Sequence, residues 1–193
     1  MNRKIIKPTP FGTVCVIWSL SNNIPRIVHV LLSRPGLSAE NRAFALYPDS
    51  KKYSCAEVDA LAVSIKSCFE GENIKFPLNL IDLSQCTKFQ QSVLRAQHAI
   101  PRGNVSTYGL IAAHLGAPGG ARAVGNALAG NPFPIIVPCH RTVRSDLHIG
   151  GFQSGAEIKR VLLEKEGVIF DKVGRVICKQ LHYGKTGKSS QII

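Results

Sequence analysis

Apolar and polar positions follow one rhythm up to about residue 83 and another after it. Residues 12–20 and 26–33 are β-rich runs separated by the turn-forming cluster Ser21-Asn22-Asn23-Ile24-Pro25, which predicts a β-hairpin. A polar segment, 35–52, follows and carries no periodic signal. In 54–69, Val58, Leu61, Ala62, Ile65 and Phe69 recur at helical spacing and predict an amphipathic helix. A short apolar run at 78–81 predicts a strand that closes a small α/β unit. This unit holds no reactive constellation and is assigned a scaffolding role.

Beyond Ser84 the pattern turns helical. Residues 87–98 suit a helix carrying Phe89, Val93, Leu94 and Gln97, broken by Pro101-Arg102-Gly103-Asn104. Ser106 is the expected N-cap of a helix running to His114, since its hydroxyl can satisfy an unpaired first-turn N–H. Gly116-Ala117-Pro118-Gly119-Gly120 forces a turn, and 121–129 forms a second short helix stopped by Gly130-Asn131-Pro132. Helix, glycine-containing turn and helix make a helix-turn-helix outline, which purely structural helical proteins also contain. The side chains of the second helix are nearly all small, with one long cation, Arg122, at its start. Such a helix either packs tightly against a neighbour or lies in a DNA groove, where its N-terminal N–H groups can meet a phosphate. Ser154-Gly155-Ala156-Glu157 reads as a capping box for a last helix with Ile158, Val161 and Leu162 as its buried stripe and Gly167 as its stop. Glu166 falls at the end of that helix, where the helix dipole disfavours a negative charge. The expected architecture is α+β. A small N-terminal α/β scaffold (1–83) precedes a mainly helical, winged-helix-like domain (84–171) and a basic tail (172–193) whose residues 185–190 are expected to be disordered.

The 193-residue chain is 45% hydrophobic and 19% charged, which sets aside wholesale disorder. Its longest apolar runs, such as 28–32, fall far short of the roughly 20 residues of a membrane span, and no apolar signal core follows the basic residues 1–10. Six cysteines (15, 55, 68, 86, 139 and 178) form no C-x-x-C pair and no regular spacing, against a disulfide scaffold or zinc ribbon and in favour of a reducing compartment. Charge narrows the picture further. Lys and Arg number 24 against 12 Asp and Glu, for a net charge of +12; residues 1–83 hold 10 basic and 7 acidic groups, and 84–193 hold 14 and 5. No carboxylate stands between Asp82 and Asp146, a stretch containing Lys88, Arg95, Arg102, Arg122, Arg141 and Arg144. A polyanion such as nucleic acid fits that surface, although many basic proteins bind none.

The candidate chemistry lies in Ile135-Ile136-Val137-Pro138-Cys139-His140-Arg141. An apolar strand is expected to deliver a cysteine to a Pro-stiffened turn beside a His and an Arg. Nearby cations favour the thiolate and are expected to lower the thiol pKa; the adjacent His can serve as general base, with Glu166 as a candidate to orient it. The alternative is a buried core cysteine, the commonest fate of this residue.

Pro138-Cys139-His140-Arg141, preceded by Asn131-Pro132 and by Ala121-Arg122-Ala123-Val124-Gly125, closely resembles the O6-alkylguanine-DNA alkyltransferase (methylated-DNA–protein-cysteine methyltransferase) family. Thr107-Tyr108-Gly109-Leu110-Ile111-Ala112 and Leu162-Leu163-Glu164-Lys165-Glu166-Gly167 match it as well, so the likeness spans roughly residues 86–170. The resemblance implies direct reversal of O6-alkylguanine, and of O4-alkylthymine, by base flipping and one irreversible transfer to Cys139. His140 would be the base through a water, Glu166 would orient it, Asn131 would brace the turn, and Tyr108 would protonate the departing guanine. Arg122 would be the finger filling the gap left by the base, with Ala121, Ala123, Gly125, Ser106, Thr107 and Arg141 as further DNA contacts. Phe152, Gln153, Val137 and Pro138 would line the base pocket; Phe152 stands where many members carry Tyr, and its ring stacks but offers no hydroxyl. The implied partner is double-stranded DNA read from the minor groove without sequence preference, bound by a monomer in the cytoplasm of a prokaryote or the nucleus of a eukaryote. No cofactor or metal is expected: there is no Gly-rich phosphate loop, and the six histidines form no metal-ligand spacing. A DNA-binding protein without transfer activity is the rival, although such relatives commonly replace the cysteine. A cysteine hydrolase would leave Arg122 and the small-residue helix unexplained.

Overall fold

Val14–Ser21 (β2) and Ile24–Leu32 (β3) pair antiparallel across Asn22 and Asn23, both at positive φ, as a tight two-residue hairpin turn requires. The residues of these strands divide between two faces, with a bulge at Val28 shifting the alternation in β3. Val14, Val16, Trp18, Val30 and Leu32 enter the main core, while Cys15, Ile17, Val28 and Leu31 face a smaller cluster on the other side. In this computed structural model, which describes residues 1–7 and 9–184, the sheet has four strands in the order β3-β2-β1-β4, β1 being Asn2–Ile6 and β4 Lys51–Lys52. The expected tail at 185–190 lies outside the described residues.

Three expectations for this half are corrected. β1 was not foreseen, because only Ile5 and Ile6 of its five residues are apolar; Lys4 pairs instead with Asp59, in the helix over residues 56–70, at 2.5 Å. The segment 35–52 contains a helix, Ala39–Leu46 (α1), capped by Ser38. Its buried face is Ala39, Arg42 and Ala43, too small and too polar to register as a hydrophobic stripe, and Arg42 Nη1 donates to the Leu32 carbonyl at 2.6 Å. Residues 78–80 form a 3-10 turn rather than a strand, with Leu80 N–H bonded back to the Pro77 carbonyl, and only Ile81 bridges to Ile27. The amphipathic helix is present as Ala56–Glu70 (α2) and buries the five expected residues.

The second half follows the expected order: Lys88–His98 (α3), Tyr108–His114 (α4), Ala121–Ala129 (α5) and Ala156–Lys165 (α6). Thr107, not Ser106, caps α4, accepting from Leu110 N–H at 3.2 Å; Ser106 is fully buried and donates to the His182 carbonyl. Likewise Gly155, at φ +99°, is the N-cap of α6, and the Ser154 hydroxyl makes no cap hydrogen bond. Gly167 ends α6 at φ +88°, with Val168 N–H reaching back to the Leu163 carbonyl. Beyond it Ile169–Phe170 (β7) and Val176–Ile177 (β8) form a small hairpin. Two short strands, Ser106–Thr107 (β5) and Thr142–Val143 (β6), pair in parallel and fasten the start of the helix-turn-helix to the chain leaving Cys139.

One hydrophobic cluster runs from Ile6, Val16 and Trp18 in the sheet through Phe69 to Leu94, Val124 and Leu162 in the helices, and takes in Phe133 of the loop after α5. The exposed edge of β3 is put to use: Val30 N–H donates to the Pro132 carbonyl at 2.8 Å and Asp82 N–H to the Ile27 carbonyl at 2.8 Å. The sheet therefore grips the loop that leads to the cysteine. Among the described residues no helix is long and apolar enough to cross a membrane.

Candidate active site

Residues 131–138 form an irregular loop, not the expected strand. Pro132, Pro134 and Pro138 contribute no N–H to a ladder, and Pro134 meets Val137 only as an isolated bridge. Ile135 sits at φ +76°, a conformation that β-branched residues rarely adopt, so the loop is held in a strained shape. Asn131, buried, holds it: Nδ2 donates to the Val137 carbonyl at 3.0 Å and Oδ1 accepts from Phe133 N–H at 2.9 Å. Gln97 of α3 adds a second clamp, its Nε2 donating to the Pro138 carbonyl at 2.7 Å while its Oε1 accepts from the Thr142 hydroxyl. The chain then tightens into a 3-10 turn, Cys139–Arg141.

Cys139 is 7% exposed and borders a cavity of about 410 Å³ with Tyr108, Gly125, Leu128, Ala129, Gly151, Phe152, Gln153 and Arg34. Burial pushes its thiol pKa up, against the Asn131 hydrogen bond and the charge of Lys159, so the expected lowering is not found. The neighbouring Arg141 does not supply the cation, because it is committed elsewhere. Its Nε and Nη2 donate to the two Glu166 oxygens at 2.9 and 2.8 Å, and Nη1 donates to the Ile100 carbonyl at 2.7 Å.

His140 is 1% exposed, and its Nε2 lies 2.9 Å from Glu166 Oε1. Burial lowers the imidazole pKa, opposed by Glu166, so the ring is neutral near pH 7. A neutral ring donating from Nε2 to a carboxylate leaves Nδ1 with a free lone pair, and Nδ1 is buried without a hydrogen-bond partner. Burial alone would raise the Glu166 carboxyl, but hydrogen bonds from His140 and Arg141 outweigh it and hold the pKa at about 2. The result is a neutral base beside a thiol, backed by a permanently charged carboxylate. Tyr108, on the cavity wall, has its phenol pKa raised by burial and by Cys139, and so remains a proton donor.

The chain's likeness to known proteins agrees with this geometry. Residues 88–168 match the family described as 6-O-methylguanine DNA methyltransferase, DNA binding domain. The methylated-DNA–protein-cysteine methyltransferase of Methanothermobacter thermautotrophicus is 40% identical over 131 residues, covering 65% of this chain and 73% of that one. The Mycobacterium bovis protein of the same name is 45% identical over 119 residues, covering 62% and 68%. The chain belongs to the methylated-DNA–protein-cysteine methyltransferase family. Among solved structures, Mycobacterium tuberculosis OGT in complex with DNA aligns with TM-score 0.69 and 32% identity over 86% of this chain and 92% of that one. The O6-methylguanine-DNA methyltransferase of Pyrococcus kodakaraensis aligns with TM-score 0.61 and 27% identity, covering 86% and 99%.

For this methyltransferase family member, the expected site residues divide into three groups. Cys139, His140, Glu166, Asn131 and Tyr108 converge, and Phe152 and Gln153 wall the cavity, with Gln153 Nε2 also donating to the Asn131 carbonyl at 2.7 Å. Arg122 and Ala123 are exposed on α5, Ala121 is half-buried, and Gly125 faces Tyr108 and the cavity. The remaining expectations are corrected. Val137 is fully buried in the core, and Pro138 borders a second cavity on the far side of the turn, so neither lines the Cys139 cavity. Ser106 and Thr107 are buried and spent on the His182 carbonyl and the α4 cap, and Arg141 is spent on Glu166, which removes all three from the DNA-facing set. Sequence reasoning missed Arg34, Gln97 and Lys159. Arg34 comes from the half assigned to scaffolding, in the loop after β3, and no local pattern marks it.

Proposed function

We propose that this protein repairs O6-alkylguanine, and O4-alkylthymine, in double-stranded DNA by moving the alkyl group once and irreversibly onto Cys139. The observation that carries this reading is the Cys139–His140–Glu166 arrangement, with its unpartnered His140 Nδ1, at the edge of a cavity beside the helix-turn-helix. The alkylated oxygen of a stacked base is out of a protein's reach, so the nucleotide must leave the duplex at a cost of a few kcal/mol. Arg122, exposed on a helix slim enough to enter the minor groove, fills the vacated place in the stack. The everted base enters between Phe152 and Tyr108, with Arg34 at the rim available to a backbone phosphate.

The transfer then needs only groups already in place. A water bridges Cys139 Sγ to His140 Nδ1, which accepts the thiol proton, and the charge on Glu166 stabilises the imidazolium. The thiolate attacks the alkyl carbon; the S–C bond forms as the C–O6 bond breaks with its electron pair. Tyr108 gives a proton to the departing guanine and recovers one from His140 through solvent. A thioether is a poor leaving group, so nothing regenerates Cys139. The protein acts as a monomer, without sequence preference, wherever the chromosome lies: the cytoplasm of a prokaryote or the nucleus of a eukaryote.

Cys139→Ala tests this reading. The substitution should abolish transfer from a duplex containing O6-methylguanine and leave duplex affinity within about twofold, since a small neutral side chain makes no phosphate contact. Residual transfer by the variant, followed by gel mobility of a labelled duplex, would refute the role of Cys139.

A further inference from the structure

The last helix is turned relative to its hydrophobic pattern. Ile158 and Val161 are only half-buried, while Lys159 is fully buried beside Leu162 and Leu163. A lysine brought inward ahead of available apolar neighbours is unfavourable to folding unless its ammonium is satisfied. Lys159 Nζ donates to the Thr142 carbonyl at 2.6 Å and to the Gly151 carbonyl at 3.2 Å. Thr142 follows the Cys139–Arg141 turn directly, and Gly151 lines the Cys139 cavity next to Phe152. Among the described residues no carboxylate pairs with this ammonium; the nearby Glu166 is taken by His140 and Arg141.

We propose that Lys159 is a positioning residue for alkyl transfer: its buried ammonium ties the chain leaving the Cys139 turn to the Gly151–Phe152 wall and faces the sulfur as it becomes charged. This rests on the function proposed above. Two titratable groups feel its charge, both on the turn. It favours the Cys139 thiolate and disfavours the His140 imidazolium. Burial pulls the lysine itself down to about 8, opposed by Cys139, so it stays largely protonated at neutral pH. Neutral carbonyls take two of its three N–H groups without cancelling its charge, which leaves the field available to the nascent thiolate. The same two hydrogen bonds fix the distance between the sulfur and the aromatic wall, and with it the space around the alkyl group.

Lys159→Met keeps length and apolar bulk while removing the charge and both hydrogen bonds. Two measurements decide: single-turnover transfer from an O6-methylguanine duplex, and the pH dependence of iodoacetamide alkylation at the Cys139 peptide, both beside wild type. The expected result is at least a tenfold slower transfer, duplex affinity within twofold, and an alkylation midpoint higher by about 1 pH unit, which corresponds to a tenfold smaller thiolate fraction. A purely structural lysine would lower stability without moving that midpoint. A folded variant with wild-type transfer and midpoint would overturn the proposal. Should the Met variant fail to fold, Lys159→Gln retains one carbonyl donor and removes the charge, and the same midpoint decides. Failure of wild type itself to become methylated would sink the proposed function instead, so the two failures are distinguishable.

Discussion

At the scale of single residues, the site depends on which partner each charge has taken. Glu166 accepts from both His140 and Arg141, and this double occupancy holds its carboxyl at about 2 against an ordinary 4.5. A carboxylate whose folded pKa is depressed stabilises the fold above its unfolded value. That contribution should therefore be present above about pH 4.5 and fade as the pH falls towards 2. Glu166→Gln leaves Arg141 largely buried without a counter-charge and should destabilise the protein at pH 7 by on the order of 3 kcal/mol. Its stability should also change less than that of wild type between pH 5 and pH 3. Urea melts of both proteins across that range check it, and parallel pH curves would show that the carboxylate is not the group responsible. Cys139, His140 and Glu166 were legible in the sequence because turn, base and helix terminus each leave a local mark. Arg141 was misread as a DNA contact because sequence shows a charge but not its partner. Gln97 and Lys159 were invisible for a related reason: both act on backbone carbonyls 41 and 17 residues away, which no spacing announces.

At the scale of elements, the helix-turn-helix was readable because glycines and prolines punctuate it, while the N-caps of α4 and α6 each stand one residue from the expected place. Thr107 and Gly155 took the places expected of Ser106 and Ser154, since tertiary pairing of β5 with β6 buried the first serine and a positive φ favoured glycine at the second. α1 escaped notice because a helix that packs alanines against a sheet needs no large apolar stripe. α5 presents Arg122 and Ala123 outward and buries Val124, Ala127 and Leu128, as expected of a helix packed on one side and free to enter a groove on the other. Arg122→Ala separates base eversion from charge attraction. As a phosphate contact alone, Arg122 would weaken all duplex binding evenly and reduce the salt slope by about 1. As a finger it also fills the stack, so transfer from duplex should fall far more than binding, while transfer from free O6-methylguanine base should hardly change. Equal losses on both substrates would remove the finger role. Arg122→Lys should lie between, since lysine keeps the charge but lacks the planar guanidinium.

At the scale of the whole molecule, the sheet half is more than a platform. It supplies Arg34 to the rim, holds the Pro132 carbonyl through Val30, and shares one continuous core with the helices. The sequence could not show this, because the contacts that join the halves are long-range and their apolar residues look like those of any core. Charge, by contrast, was legible from composition. The carboxylate-free stretch from Asp82 to Asp146 should give duplex binding whose log affinity falls linearly with log salt concentration, with a slope of roughly −0.9 per phosphate neutralised. A filter-binding titration at several ionic strengths measures it, and a flat response would mean that the excess of +9 beyond residue 83 does not serve DNA.

The central claim is that Cys139 accepts one alkyl group and keeps it. Peptide mass spectrometry after incubation with excess O6-methylguanine duplex tests it most directly. The account predicts one added methyl group per protein molecule, on the peptide containing Cys139, with repaired DNA never exceeding protein in molar amount. Methyl groups on any of the other five cysteines instead, or more repaired duplex than protein, would contradict it.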